Sequence, residues 1–196
     1  MSAEIYGLIL AGGQSRRMGE NKALIEVHGK PQALVAHELL QPFTGNTYLS
    51  CQAGQYDGTP CEPLPQLHDR PPAQGPLGGL ARAFEEHPEA AWLVVACDLP
   101  LLTANTVSQL ISSRDPAKKA TAFLSSSDGM PEPMCAIFEP GILPELQKRL
   151  AEGRRCARWM LVDLAEEVCL LQLPETHALD NANTPEDLTR IKQQNA

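Results

Sequence analysis

The sequence lacks the features that would mark a metal-stapled, disulfide-framed, membrane-spanning or nucleic-acid-coating protein. Its six cysteines (Cys51, Cys61, Cys97, Cys135, Cys156 and Cys169) form no C-x-x-C pair, and their spacing suits neither zinc nor a disulfide framework. Several fall inside apolar runs, where cysteine behaves as a small hydrophobe, so they are expected to be reduced and structural. No run of about eighteen apolar residues occurs, and no cationic N-terminal segment leads into a long apolar one. A soluble, cytoplasmic chain without membrane contact is the expectation. The net charge of −8 leaves no general basic face for a nucleic acid. Repeats and low-complexity tracts are missing too. With 43% hydrophobic residues and 196 residues in all, the chain reads as one domain, 1–196, whose core needs no staples.

Several catalytic landmarks are also absent. The dinucleotide pattern G-x-G-x-x-G does not follow the first apolar run. The Walker pattern needs Gly and Lys adjacent and then Ser or Thr, but Gly19 precedes Glu20 and Lys22 precedes Ala23. The five histidines (His28, His37, His68, His87 and His177) are scattered, and no Ser-His-Asp or Cys-His set stands out. None is given a catalytic role.

What is present begins with residues 5–10, an apolar run that reads as a buried strand and breaks into Ala11, Gly12 and Gly13 and then into Arg16, Arg17 and Lys22. A strand ending in glycine lets backbone N–H groups approach an anion, because no side chain intervenes. An acidic protein that clusters cations in one loop is aiming them at a small anion, and a polyphosphate fits. A second apolar run, residues 91–97, ends abruptly at Asp98 and Pro100. It reads as a buried parallel strand whose carboxylate emerges at the C-terminal edge, where open α/β sheets gather ligands. A carboxylate opposite a phosphate-binding loop is a natural Mg²⁺ ligand, since that ion bridges one or two carboxylates to substrate phosphates. Thr103, rather than Asp98, is the expected cap of the following helix.

Elsewhere, residues 23–27, 47–51, 120–124, 134–138 and 167–173 read as strands, with a short one over residues 64–67. Helices are expected from Pro31 to Gln41, after Gly75, after Thr103 and from Pro144. Alternation of strands and helices predicts an α/β fold, a three-layer sandwich on a mainly parallel central sheet. A long loop over residues 56–76 ends in Asp69 and Gly75-Pro76-Leu77-Gly78-Gly79, and such loops in compact domains are usually functional. Thr184 and Pro185 form a helix start that capping alone explains, but capping does not explain Asn181 and Asn183 just upstream.

Residues 8–22 resemble the L-A-G-G-x-S-x-R-M-G-x-x-K signature of nucleotidyltransferases of the molybdenum cofactor guanylyltransferase type; Asn21 stands where relatives often carry Asp. Matching motifs recur near residues 69–80, 97–100 and 181–188, with Ala182 in place of the commoner Val or Ile, so the resemblance spans nearly the whole chain. It implies the Rossmann-like nucleotidyltransferase fold and transfer of GMP from GTP to molybdopterin. Leu10, Ala11, Gly12 and Gly13 would then meet base and phosphates, and Lys22 and Arg17 would neutralise the triphosphate. Asp98 would hold Mg²⁺, Asp69 would lie beside the nucleotide, and Asn181 and Asn183 would belong to the substrate site. Ser50 is a further candidate for guanine or ribose. Pro131-Glu132-Pro133 would face the second substrate. Arg154 and Arg155, with Arg158 nearby, would suit a pterin phosphate, although an exposed cationic helix start explains them equally well. Asp69 as a solvated loop residue is the corresponding bland reading.

The implied chemistry is positioning plus electrostatics, with an already ionised acceptor phosphate attacking in line. Competing readings are a cytidylyl or sugar-phosphate nucleotidyltransferase, a non-enzymatic nucleotide sensor, and a P-loop kinase or GTPase disfavoured by spacing. Handover of a finished cofactor implies transient contact with other cofactor-assembly proteins.

Overall fold

The computed structural model describes residues 2–12, 21–26, 29–70, 75–182 and 187. Seven strands form one sheet: β1 (Ile5–Leu10), β2 (Thr47–Cys51), β3 (Gln66–His68), β4 (Ala91–Ala96), β5 (Ala120–Leu124), β6 (Pro131–Phe138) and β7 (Val168–Leu171). Their order is β3-β2-β1-β4-β6-β5-β7. Pairings β1–β2, β1–β4, β2–β3 and β5–β7 are parallel, and only β6 runs against its two neighbours. The sheet is therefore mainly parallel, as the sequence predicts.

Among the described residues the helices that cover it are α1 (Gln32–Leu40), α2 (Gly75–Glu86), α3 (Ala104–Ser112), α4 (Leu143–Ala151) and α5 (Ala157–Asp163). Period-2 alternation sorts the core. Ile9, Leu49, Leu93, Val95 and Ile137 pack with Ala33, Ala36 and Leu40 of α1 and Val107 and Leu110 of α3. Leu8, Trp92, Val94, Ala136 and Phe138 pack on the other face with Leu77, Leu80 and Phe84 of α2, Leu146 of α4 and Met160 of α5. That makes three layers. Thr103 caps α3 as expected, its hydroxyl accepting from the Thr106 N–H.

Three local expectations are corrected. Residues 22–24 form a 3-10 turn rather than the start of a strand over 23–27, because the Asn21 side chain caps the turn by accepting from the Ala23 N–H. Among the described residues there, only Glu26 finds a strand partner, in an isolated bridge to Pro31. The strand expected at 134–138 begins at Pro131 instead. It tolerates two prolines because Pro131 is its first residue and Pro133 falls where the register slips, Ala122 opposing Ala136 while Phe123 opposes Glu132. The last strand covers only Val168–Leu171 of the expected 167–173. Among the described residues no helix is long and apolar enough to cross a membrane.

Candidate active site

β1 is flanked by parallel β2 and β4, so its C-terminal end meets the ends of both. The Ala11 N–H donates to the Ser50 carbonyl at 3.0 Å, and the Cys97 N–H donates to the Leu10 carbonyl at 3.2 Å. The Ala11 carbonyl in turn accepts from Tyr56 Oη at 2.7 Å and Gln55 Nε2 at 2.8 Å. Tyr56 is fully buried, and burial pushes its phenol well above the ordinary range, so it stays a donor. The backbone entering the glycine loop is thus fixed from both sides.

On the β2 side lies a cleft of about 450 Å³, lined by Leu10, Gly12, Ser50, Asp69, Gly79 and Arg82 among others. Asp69 follows β3 and is anchored by its N–H to the Cys51 carbonyl at 2.8 Å. Its Oδ1 accepts from the buried Ser50 Oγ at 2.8 Å. A Cβ on Gly12 would stand 2.8 Å from the other carboxylate oxygen, Oδ2, and a Cβ on Gly79 would collide with Ser50 Oγ. Both glycines are therefore needed for the close approach of β1, β2 and α2 around this carboxylate. Burial raises the Asp69 carboxyl above its ordinary value, opposed by the Ser50 hydrogen bond and by His68. A carboxylate with one oxygen held and the other beside a backbone turn is equipped to accept N–H donors from a ligand.

On the β4 side, Lys22 Nζ donates to Asp98 Oδ2 at 3.1 Å, with the side chains 22% and 21% exposed. The 3-10 turn supplies the lysine, and Asp98 sits two residues past the end of β4. A narrow crevice of about 10 Å³ adjoins the pair, lined by Lys22, Ile25, Gln32, Cys97, Asp98, Pro100 and Ala182. Burial pushes the Cys97 thiol up to about 12, with Asp98 adding to the effect, so it is no nucleophile. The Asp98 carbonyl accepts from the Ala182 N–H at 3.0 Å, which ties the segment containing exposed Asn181 to this edge.

The geometry brings together Leu10, Ala11, Gly12, Ser50 and Asp69 on one side of the β1 terminus and Lys22 and Asp98 on the other. Gly13, Arg17 and Asn183 lie outside the described residues. Arg154 lies on neither recess; it bonds Asp163 at 2.6 Å and approaches Glu152 at 3.9 Å. Arg155 is exposed in the same turn between α4 and α5, and Arg158 pairs with Asp128 and Glu132. Sequence reasoning missed Gln55 and Tyr56, which hold the loop, and Gln32 beside the ion pair. A buried tyrosine within a loop rich in Pro and Gly was the available signal for Tyr56; Gln32 gave none.

No group of three or more His, Cys, Asp or Glu side chains able to hold a metal occurs among the described residues. That donor set does not build a resident all-protein cage. A carboxylate at the C-terminal edge of the sheet, as Asp98 is, has the donor chemistry that Mg²⁺ takes when it keeps waters and shares itself between one or two carboxylates and substrate phosphates.

Residues 7–168 match the MobA-like NTP transferase domain. The chain is 36% identical over 188 residues to the molybdenum cofactor biosynthesis bifunctional protein of Synechocystis, covering 95% of this chain but only 53% of that protein. It is 35% identical to a Nostoc protein named "Probable molybdenum cofactor guanylyltransferase", covering 96% of this chain and 90% of the relative. Among solved structures it resembles molybdopterin-guanine dinucleotide biosynthesis protein A of Archaeoglobus fulgidus, with a TM-score of 0.75, 23% identity, and coverage of 96% and 97% of the two chains. That last likeness speaks to the fold.

Proposed function

The chain belongs to the MobA-like NTP transferase family and is a nucleotidyltransferase, and on that premise we propose that it moves GMP from GTP to the terminal phosphate of molybdopterin, releasing pyrophosphate. The observation that carries the reading is the 3.1 Å contact between Lys22 and Asp98 at the end of the sheet, the lysine supplied by the 3-10 turn and the aspartate by the residues after β4. Family and relatives' names support the acceptor and the nucleotide.

In this reading the backbone of Leu10, Ala11, Gly12 and Gly13 meets the nucleotide, and Asp69, set by Ser50, accepts from N–H groups of the base. Lys22, with Arg17, neutralises the triphosphate. Asp98 would hold a Mg²⁺ ion arriving with the phosphates, which would supply charge neutralisation there. An ionised oxygen of the acceptor phosphate bonds to the α-phosphorus, the bond from that phosphorus to the bridging oxygen breaks, and its electron pair leaves with pyrophosphate. Lys22 stabilises the charge that develops there, which is electrostatic catalysis needing no general base. Asn181, tethered near Asp98 by Ala182, serves the acceptor together with Asn183. Arg155, exposed in the α4–α5 turn, is a cation offered to its phosphate.

Pyrophosphate release should be measured with GTP, CTP and ATP, each against molybdopterin and a sugar phosphate. GTP with molybdopterin is expected to be the productive pair. Turnover with a sugar phosphate alone would overturn the acceptor, and preference for CTP would overturn the base.

A further inference from the structure

Tyr56 carries a hydroxyl to which the chemistry above gives no role beyond the Ala11 carbonyl. The side chain is fully buried. A buried hydroxyl costs free energy unless it is bonded, and phenylalanine would fill nearly the same space without one. The partners of the oxygen therefore show what it holds together. The phenol has one hydrogen to give, and it goes to the Ala11 carbonyl at 2.7 Å. Its lone pairs are left to accept. Gln55 Nε2 donates to the phenol at 3.2 Å and to the same Ala11 carbonyl at 2.8 Å. Gln55 is itself held at its other amide atom, Oε1, which accepts from the Gln52 N–H at 2.9 Å.

Asn21 completes the set. Its Oδ1 accepts from the Ala23 N–H at 3.1 Å and caps the 3-10 turn that carries Lys22. That leaves Nδ2 as the donor half of the amide, and the Asn21 side chain hydrogen-bonds the phenol. Ala11, Ala23, Tyr56 and Cys97 all belong to one buried cluster. One oxygen is thus bonded to Ala11, at the end of β1, and to Asn21, immediately ahead of Lys22. Cys97 precedes Asp98, so the same cluster lies behind both members of the Lys22–Asp98 pair.

A lysine is a point charge on a flexible stem, so its aim depends on how firmly its backbone is held. Displacing a charge-stabilising group by about 1 Å removes a large part of its effect on a rate. We propose that Tyr56 is a positioning residue: from one buried oxygen it ties the Asn21-capped turn to the end of β1, and so keeps Lys22 set against Asp98 and the triphosphate. This rests on the nucleotidyltransferase reading of that edge.

The test compares wild type, Tyr56→Phe, Asn21→Ala, Tyr56→Phe/Asn21→Ala, Lys22→Met and Tyr56→Phe/Lys22→Met, all as the full chain. Two readouts are taken: kcat and KM for pyrophosphate release, and hydrogen exchange of the Ala23 and Val94 amides by NMR. Tyr56→Phe is expected to lose about fivefold to tenfold in kcat, the scale of one hydrogen bond, with KM for GTP within about twofold of wild type. Its Ala23 amide should exchange about tenfold faster, whereas a general loss of stability would show in the Val94 amide of β4 instead. In the Lys22→Met background the Tyr56→Phe loss in kcat should vanish, and in the Asn21→Ala background it should fall below about twofold. An unchanged kcat in Tyr56→Phe, a loss that persists in full without Lys22 or without Asn21, or an Ala23 amide no faster than in wild type overturns the inference. Wild type that folds but releases no pyrophosphate from GTP would instead refute the proposed reaction. The Ala23 exchange, which needs no turnover, then decides the Tyr56 role.

Discussion

Arg114 grips Glu139 by two hydrogen bonds, Nε to Oε1 at 2.6 Å and Nη2 to Oε2 at 2.8 Å, and gives a third to the Ala3 carbonyl at 2.9 Å. Lys22 meets Asp98 through one oxygen at 3.1 Å. The first pair is 9% and 5% exposed, the second 22% and 21%. Two planar forks matched edge to edge in a buried site cannot exchange partners without stranding a charge. A point charge on a flexible stem, a fifth exposed at the edge of the sheet, can. One pair fastens the chain just after α3 to the start of the segment between β6 and α4, and its arginine also holds the Ala3 carbonyl. The other occupies the edge where the reaction is placed. Charge alone does not separate a staple from a working group; the planar match of the partners and the access of water do.

Breaking the staple should have the largest effect. Arg114→Leu leaves Glu139 buried and unpaired, and denaturant unfolding should show a loss of about 3–5 kcal/mol. Its turnover well below the new melting temperature should stay within about twofold of wild type, because the change lies away from the cleft. A large turnover loss with intact stability would erase the distinction. Lys22→Met should do the reverse. Melting should move far less than for Arg114→Leu, since a partly exposed pair contributes little, while kcat for pyrophosphate release falls about a hundredfold or more.

Asp69 sharpens the contrast from the cleft side. Its carboxyl is raised by burial, so the folded state holds a proton more tightly than the unfolded chain does. Stability linked to it is therefore lost as the pH rises through the window between the ordinary value of 3.8 and the raised one. Asp69→Asn should stabilise the protein slightly at neutral pH, with the gain shrinking to nothing below the ordinary carboxylate range. The same variant should weaken binding of the GTP analogue about tenfold, as loss of a charged hydrogen-bond acceptor predicts. Asp163 carries the opposite sign: its hydrogen bonds from Arg149 and Arg154 hold it low, so its contribution is present at neutral pH and lost on acidification. The smallest effect belongs to Arg154→Ala. Its exposed pair with Asp163 should leave thermal unfolding almost unchanged. Turnover should change little, because Arg149 still holds Asp163. A tenfold rise in KM for molybdopterin would return Arg154 to the acceptor site.

Legibility of the sequence followed how local each feature is. The glycine turn after β1 and Asp98 after β4 are each announced by an apolar run that stops within one or two residues, so both could be read directly. Their meeting followed from the parallel order of a sheet whose class the alternation of elements predicts. Asp69 was legible only through a motif, because its contact with Ser50 depends on the register Cys51 opposite His68. Gln32 was not legible at all. It occupies a helix start that reads as ordinary, and only the packing of α1 against the 3-10 turn places it beside Lys22. Residues 23–26 misled for the opposite reason: an apolar-rich run has strand character, but a strand exists only where a neighbour accepts its hydrogen bonds.

Pyrophosphate release by Asp98→Asn at saturating GTP, Mg²⁺ and molybdopterin probes the working edge most directly, since the substitution keeps the shape of the side chain and removes only its charge. A fall in kcat of about a hundredfold or more, with unfolding unchanged, is the predicted result. A variant turning over within about threefold of wild type would show that the carboxylate facing Lys22 takes no part in the transfer.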